Sequence, residues 1–228
     1  MTGLAPTATP SVARLYSTLL SHYGPQDWWP GDTRFEVMIG AILTQNTAWR
    51  NVEKALARLV EVDCMTPERM LGTGETDLAV LVRPSGCFNI KAKRLRNLCG
   101  WLCDYGGIEA VAAWDTETLR AELLAINGVG PETADDILLY AFDRNVFVVD
   151  TYTRRLFARI GVTDGDLAYD RLKRRVEVEL TGGAPAFGEF HALIVEHAKR
   201  ICRKTPLCGN CPLRAGCAFG SSPHGPAR

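Results

Sequence analysis

Apolar residues recur at helical spacing along most of the chain, and that periodicity predicts an all-α protein. Ser11–His22 carries Val12, Leu15, Tyr16, Leu19 and Leu20 on one face. Thr33–Leu43 reads as a helix buried on all sides. Ala48–Val60 continues with Val52, Ala55, Leu56 and Leu59. Thr66 is a good N-cap before Pro67, whose fixed φ suits a first helical turn. Lys91–Tyr105, Thr116–Ala125, Pro131–Phe142, Thr151–Ile160, Ala168–Leu180 and Ala184–Cys202 complete the predicted helices. Glycines at 106–107, 128, 130, 161 and 182–183 mark the turns between them. Asn145–Val149 is rich in β-formers but too short to establish a sheet. Residues 1–10 and 219–228 lack periodicity and read as frayed tails.

At 228 residues with 46% hydrophobic residues, the chain is long enough for one large core or two small ones. Apolar runs such as Val37–Leu43 are too short to span a bilayer. The N-terminus has no basic start followed by an apolar stretch, so no secretory signal is expected, and the expected location is the cytoplasm. The formal net charge is zero, which by itself argues mildly against nucleic acid. Distribution changes that picture. Basic residues bunch at Lys91–Arg96, Arg154–Arg159, Arg171–Arg175 and Lys199–Lys204, either as solvated helix faces or as parts of one basic surface.

Candidate chemistry sits in three places. The first is Ile126-Asn127-Gly128-Val129-Gly130-Pro131. A glycine ends one helix, a second lets the backbone approach an external group, and proline opens the next helix with its free N–H groups outward. That geometry suits a phosphate, and it equally suits an ordinary tight turn. The second is Val148-Val149-Asp150-Thr151, where Asp150 is either a plain N-cap or a working carboxylate and Thr151 can cap the next helix. The third is Cys202-x5-Cys208-x2-Cys211-x5-Cys217. These are four of eight cysteines in the chain. Four thiolates so close together read as an iron–sulfur or a zinc site. Zinc sites more often show two C-x-x-C pairs, and here there is one. A disulfide framework conflicts with the missing signal and the large core. Cys99 and Cys103, one helical turn apart, read as core.

In this order, the hairpin, the Val-Val-Asp run before an Arg-bearing helix, and the cysteine cluster resemble the endonuclease III-like helix-hairpin-helix DNA glycosylases. The resemblance covers roughly residues 12–217 and includes Gly86-Cys87-Phe88-Asn89-Ile90-Lys91-Ala92. It implies a two-lobed all-α fold, with a six-helix barrel over residues 28–144 and a cluster lobe of residues 11–27 with 145–218. It also implies a [4Fe-4S] cluster on Cys202, Cys208, Cys211 and Cys217, although the first cysteine gap is one residue shorter than the family's. Asp150 matches the catalytic carboxylate near the sugar of the flipped nucleotide, and Glu132 after the hairpin is the second catalytic candidate. Gln45, Asn46, Asn89, Lys91, Gly128, Val129, Gly130 and Thr133 are the implied DNA-binding residues. The implied partner is double-stranded DNA holding a damaged base, bound by a monomer away from membranes.

One departure bears on mechanism. Members that cut the backbone through a Schiff base carry lysine where this chain has Glu132, and a carboxylate cannot form an imine. Trp28-Trp29-Pro30, with Trp49 further on, looks most like the 3-methyladenine glycosylase subgroup. There, aromatic residues matching Trp29 and Trp49, with a proline matching Pro30, sandwich the base; core packing is the other role for such tryptophans. The resulting expectation is a base-removing enzyme for alkylated purines without lysine-based strand cleavage. A glycosylase for oxidised or mismatched pyrimidines and a damage-binding protein with little catalysis remain open.

Overall fold

A computed structural model describes residues 11–26, 28, 31–163 and 167–221. Trp29, Pro30 and the expected tails over 1–10 and 222–228 lie outside the described residues. The described chain is helical throughout and holds no β-strand. It divides into two compact units: the described residues of Trp29–Arg144, and those of Met1–Trp28 together with Asn145–Arg228. No described helix is long and apolar enough to cross a membrane.

At five helix entries a side-chain oxygen satisfies an otherwise orphaned N–H group. Ser11 caps α1 (Val12–Tyr23), and Thr33 caps α2 (Arg34–Leu43). After α3 (Trp49–Glu61), Thr66 accepts from the Arg69 N–H at the start of α4 (Pro67–Gly72), with proline in the first turn as expected. Short α5 (Glu75–Leu81) follows. Helix α6 (Phe88–Asp104) starts three residues earlier than its apolar pattern predicts, so Asn89 and Lys91 are both helical. Short α7 (Ile108–Ala112) leads to α8 (Thr116–Ala125), capped by Asp115.

The Trp29–Arg144 unit is built round α2. Its residues Phe35, Val37, Met38, Ile39, Ala41, Ile42 and Leu43 are all buried, which explains a sequence without a polar stripe. It packs against α3, α6 and the segment Pro131–Ala141. That segment begins as α9 (Pro131–Asp136) and continues as a π-helix over Ile137–Ala141, where a plain α-helix is expected from the sequence. Two carboxylates, Asp135 and Asp136, are buried on it. Arg120 on α8 grips Asp135 with two bonds, Nε to Oδ1 at 2.7 Å and a second guanidinium nitrogen to Oδ2 at 3.1 Å. This fork joins the two helices that flank the glycine hairpin.

In the other unit α12 (Gly183–Arg200) is central and packs on α1 and α10 (Thr151–Ile160). Helix α11 (Tyr169–Glu179) packs on α1. The β-rich stretch forms no strand: Val146–Val149 is buried, while Asn145 before it is exposed. Its Asn145 side chain accepts from the Ala184 N–H at 2.8 Å, at the start of α12. Residues 219–221, expected in a tail, belong to α13 (Ala218–Ser221), which packs on α10.

Because Asp135 is wholly buried and Arg120 is mostly so, removing one partner takes a bidentate bond from a charge with little access to water. Asp135→Ala is expected to lower the unfolding free energy by roughly 3–5 kcal/mol in urea titrations. A loss under about 1 kcal/mol, the range of an exposed pair, would show that this fork does not hold the hairpin helices together.

Candidate nucleic-acid interface and catalytic carboxylate

In the Trp29–Arg144 unit the hairpin joins α8 to α9. Gly128 has φ +100, a left-handed conformation that stops α8 as the sequence predicts. A Cβ there would overlap the aliphatic part of Arg94 on α6, so glycine is needed for space as well as for conformation. Gly130 is exposed and leads directly into Pro131, at the first position of α9. Val129 is buried beneath the turn. Glu132 is exposed in the first turn of α9, where a carboxylate complements the helix dipole.

Beside the hairpin, the Thr44–Thr47 turn closes with a bond from the Thr47 N–H to the Thr44 carbonyl at 3.1 Å. Its two central residues face differently. Gln45 Nε2 donates to the Gly128 carbonyl at 3.2 Å and to Thr133 Oγ1 at 2.9 Å. Gln45 Oε1 accepts from the Arg94 guanidinium. Asn46 is exposed, with φ +55. Trp49 opens α3 and is partly exposed; Asn89 is exposed on the first turn of α6.

Two expected DNA-facing groups are placed elsewhere. Lys91 is 2% exposed, and its Nζ donates to the carbonyls of Leu43 at 2.8 Å and Ser85 at 2.6 Å. Burial lowers the pKa of this amine from its ordinary value. Lys91 therefore caps the end of α2 from inside rather than meeting a phosphate. Thr133 is likewise buried, its hydroxyl engaged by Gln45. Its position in the apolar-periodic stretch after Pro131 was the available signal.

In the other unit, Asp150 is itself the N-cap of α10, so Thr151 is the first helical residue and not the cap. Asp150 Oδ1 accepts from the Thr153 N–H at 2.7 Å, and Oδ2 lies 3.7 Å from His191 Nε2. Burial pushes the carboxyl upward, but His191 and the Thr153 donors outweigh it, and the net shift is below the ordinary aspartate value. The group is a buried carboxylate held ionised. Trp28 packs edge-on against His191, with ring centroids 6.3 Å apart, and Lys199 Nζ sits 5.3 Å from the Trp28 ring centroid. Neither His191 nor the Trp28–His191 contact is legible in the sequence, because a lone histidine on an amphipathic helix carries no signal.

The four cysteines line one small pocket, partly open to solvent, together with Arg159 and His197. Among the described residues, no three His, Cys, Asp or Glu side chains converge closely enough to hold a single metal ion. Four thiols round one pocket are the donor chemistry that an iron–sulfur cluster requires. Cys202 Sγ accepts from Arg159 at 3.3 Å and Cys217 Sγ from the Gly220 N–H at 3.4 Å. His197 Nε2 lies 3.6 Å from Cys211 Sγ. Burial, with a smaller push from His22, lowers the pKa of His197 to about 4. A neutral ring accepting from the Tyr23 hydroxyl at Nδ1, 2.9 Å away, presents Nε2–H to the sulfur.

An exposed glycine hairpin backed by a side-chain network, and a buried ionised carboxylate at a helix entry, define an all-helical protein of the helix-hairpin-helix class. The sequence matches the HhH-GPD superfamily base excision DNA repair protein family over residues 39–181. The chain belongs to this family and is an endonuclease III-like helix-hairpin-helix glycosylase. It is 50% identical over 209 residues to a putative DNA repair glycosylase of Methanocaldococcus jannaschii, covering 90% of this chain and 95% of that protein. The 3-methyladenine DNA glycosylase of H. pylori, solved with 1,N6-ethenoadenine, superposes with a TM-score of 0.74 at 30% identity, over 84% of this chain and 98% of that one. An endonuclease III–DNA complex superposes with a TM-score of 0.79 over 90% of this chain and 93% of the other; its 23% identity shows the fold alone.

Asp150 has a depressed pKa, so its contribution to stability is present above the unfolded aspartate value and is lost as pH falls through the folded one. The difference in unfolding free energy between wild type and Asp150→Asn is expected to be constant above about pH 5 and to shrink below about pH 4, in urea titrations at stepped pH. A difference that grows on acidification would mean that the carboxyl is protonated in the folded state.

Proposed function

We propose that this glycosylase removes alkylated purines, 3-methyladenine or a close relative, by hydrolysing the N-glycosidic bond without lysine-dependent strand cleavage. Glu132 carries the proposal: a carboxylate is exposed at the position after the hairpin where a Schiff-base enzyme needs an amine. The likeness to a 3-methyladenine glycosylase bound to an ethenoadenine supports the substrate class. The aromatic base sandwich of Trp29, Pro30 and Trp49 belongs to the same proposal.

The chemistry is balanced for such a base. The alkylated adenine carries positive charge, so the electron pair of the breaking C–N bond neutralises it on departure. Little acid catalysis is needed. Asp150, ionised in a site of low dielectric, stabilises the positive charge growing on the sugar and orients the water that adds to it. Aromatic faces attract the cationic base, worth about 0.5–2 kcal/mol. The hairpin grips a backbone phosphate through N–H groups, a contact that carries no sequence information.

We also propose that Cys202, Cys208, Cys211 and Cys217 hold a [4Fe-4S] cluster that ties down the segment after α12, a stretch with little core of its own. Arg159, Gly220 and His197 supply donors to its sulfurs. The expected composition is about four irons per chain. One zinc and no iron in anaerobically purified protein would reject the cluster.

Base release from a panel of lesion-bearing duplexes tests the substrate. Release of 3-methyladenine is expected, and release of thymine glycol or mismatched thymine in its place would overturn the assignment. Asp150→Asn should slow release roughly a hundredfold to a thousandfold. Glu132→Gln should slow it less, and borohydride should trap no adduct on abasic DNA. Efficient trapping of the wild type would require another amine and would refute the monofunctional mechanism.

A further inference from the structure

The turn between α8 and α9 contains a reactive dipeptide. Asn127 and Gly128 are its two central residues, and it is closed by a bond from the Val129 N–H to the Ile126 carbonyl at 3.0 Å. Gly128 has φ +100 and Asn127 has no positive φ, which is the pattern of a type II turn. Asn127 is exposed, so water and hydroxide reach its amide. Asparagine is a thermolabile residue, most of all before glycine, because a residue without Cβ leaves its backbone nitrogen open to attack on the preceding amide. The same turn is pinned from outside. Asn97 Nδ2, on α6, donates to the Asn127 carbonyl at 2.9 Å. Gln45 Nε2 donates to the next carbonyl, that of Gly128, at 3.2 Å. The first of these bonds holds the peptide plane that contains the Gly128 nitrogen.

We propose that Asn127 is a modification site, converted to aspartate or isoaspartate through a cyclic imide, and that Asn97 sets the rate by holding the Asn127 carbonyl. The Gly128 nitrogen gives its proton to hydroxide and attacks Asn127 Cγ. A C–N bond forms, the bond from Cγ to Nδ2 breaks, and ammonia leaves after taking a proton from water. Water then opens the imide. Opening at Cγ gives aspartate, and opening at the backbone carbonyl gives isoaspartate, with one more methylene in the chain. The balance is one water consumed and one ammonia released, with no oxidant or reductant. In a type II turn the Gly128 nitrogen faces away from the Asn127 side chain. The peptide plane must therefore rotate about the Asn127 Cα–C bond before attack. That rotation takes the Asn127 carbonyl away from Asn97 and opens the bond between Val129 and Ile126. Each conversion adds one negative charge to an exposed turn. Neither the site nor its restraint depends on the proposed base-release reaction.

The test follows the full-length protein by mass spectrometry of the tryptic peptide of residues 121–144, in which Asn127 is the only amide side chain. A synthetic peptide of the same residues gives the unpinned rate. Folded wild type should convert at Asn127 about tenfold or more slowly than the peptide, as the two hydrogen bonds that must open imply. Both rates should rise from neutral to mildly alkaline pH. Asn97→Ala, and Asn97→Leu, which keeps the volume and loses the donor, should each speed conversion about fivefold to tenfold, as loss of one net hydrogen bond implies. Urea titration checks that both variants are folded, and the comparison of wild type with the peptide needs no variant. Folded wild type that converts as fast as the peptide, or folded Asn97 variants that convert at the wild-type rate, would overturn the restraint. No acid form at Asn127 in wild type or either variant, under conditions that convert the peptide fully, would overturn the site.

Discussion

The absence of a side chain at Gly128 is the constraint on which the interface unit depends. Any Cβ there would collide with Arg94, and the positive φ would strain any other residue. With the space open, Arg94 reaches Gln45, and Gln45 reaches back to the Gly128 carbonyl and Thr133. A backbone turn that would otherwise be held only by its own short bonds becomes part of a network tied to α2 and α6. Beneath it, Arg120 and Asp135 join the flanking helices. Lys91 fixes the C-terminal end of α2 from below through the Leu43 and Ser85 carbonyls.

The other unit solves a different electrostatic problem. A carboxyl as buried as Asp150 is pushed toward its neutral form, and a neutral acid could not stabilise a cationic sugar. The Thr153 N–H, presented by the first turn of α10, and the His191 side chain from α12 reverse that push. The N-cap role and the proposed catalytic role are therefore one arrangement. The donor that starts the helix is also what keeps the carboxylate charged.

The cysteine segment shows the same use of buried donors. Its sulfurs face a guanidinium, a backbone N–H and an imidazole, and burial holds the Cys211 thiol up at about 11. Ligation of the proposed cluster would have to displace that proton, which would make its binding depend on pH.

Helices, their caps and the hairpin glycines were legible in the sequence because each follows from interactions within a few residues: side-chain spacing, an oxygen at a helix entry, a residue free to take positive φ. Thr66, Pro67 and Gly128 behave as local chemistry dictates. The cysteine spacing belongs to the same category, since four cysteines within one short segment come to line one pocket. What the sequence could not decide is which way a polar side chain turns once helices pack. Lys91 and Gln45 read as DNA-facing, yet Lys91 bonds the Leu43 carbonyl 48 positions away and Gln45 the Gly128 carbonyl 83 positions away. Burying an ammonium is tolerable only because two carbonyls from other elements converge on it. The π-helical turn at Ile137–Ala141 and the meeting of His191 with Asp150 are of the same kind. Each depends on long-range packing that brings distant groups into a low-dielectric interior, where hydrogen-bond satisfaction and not residue type sets position and charge.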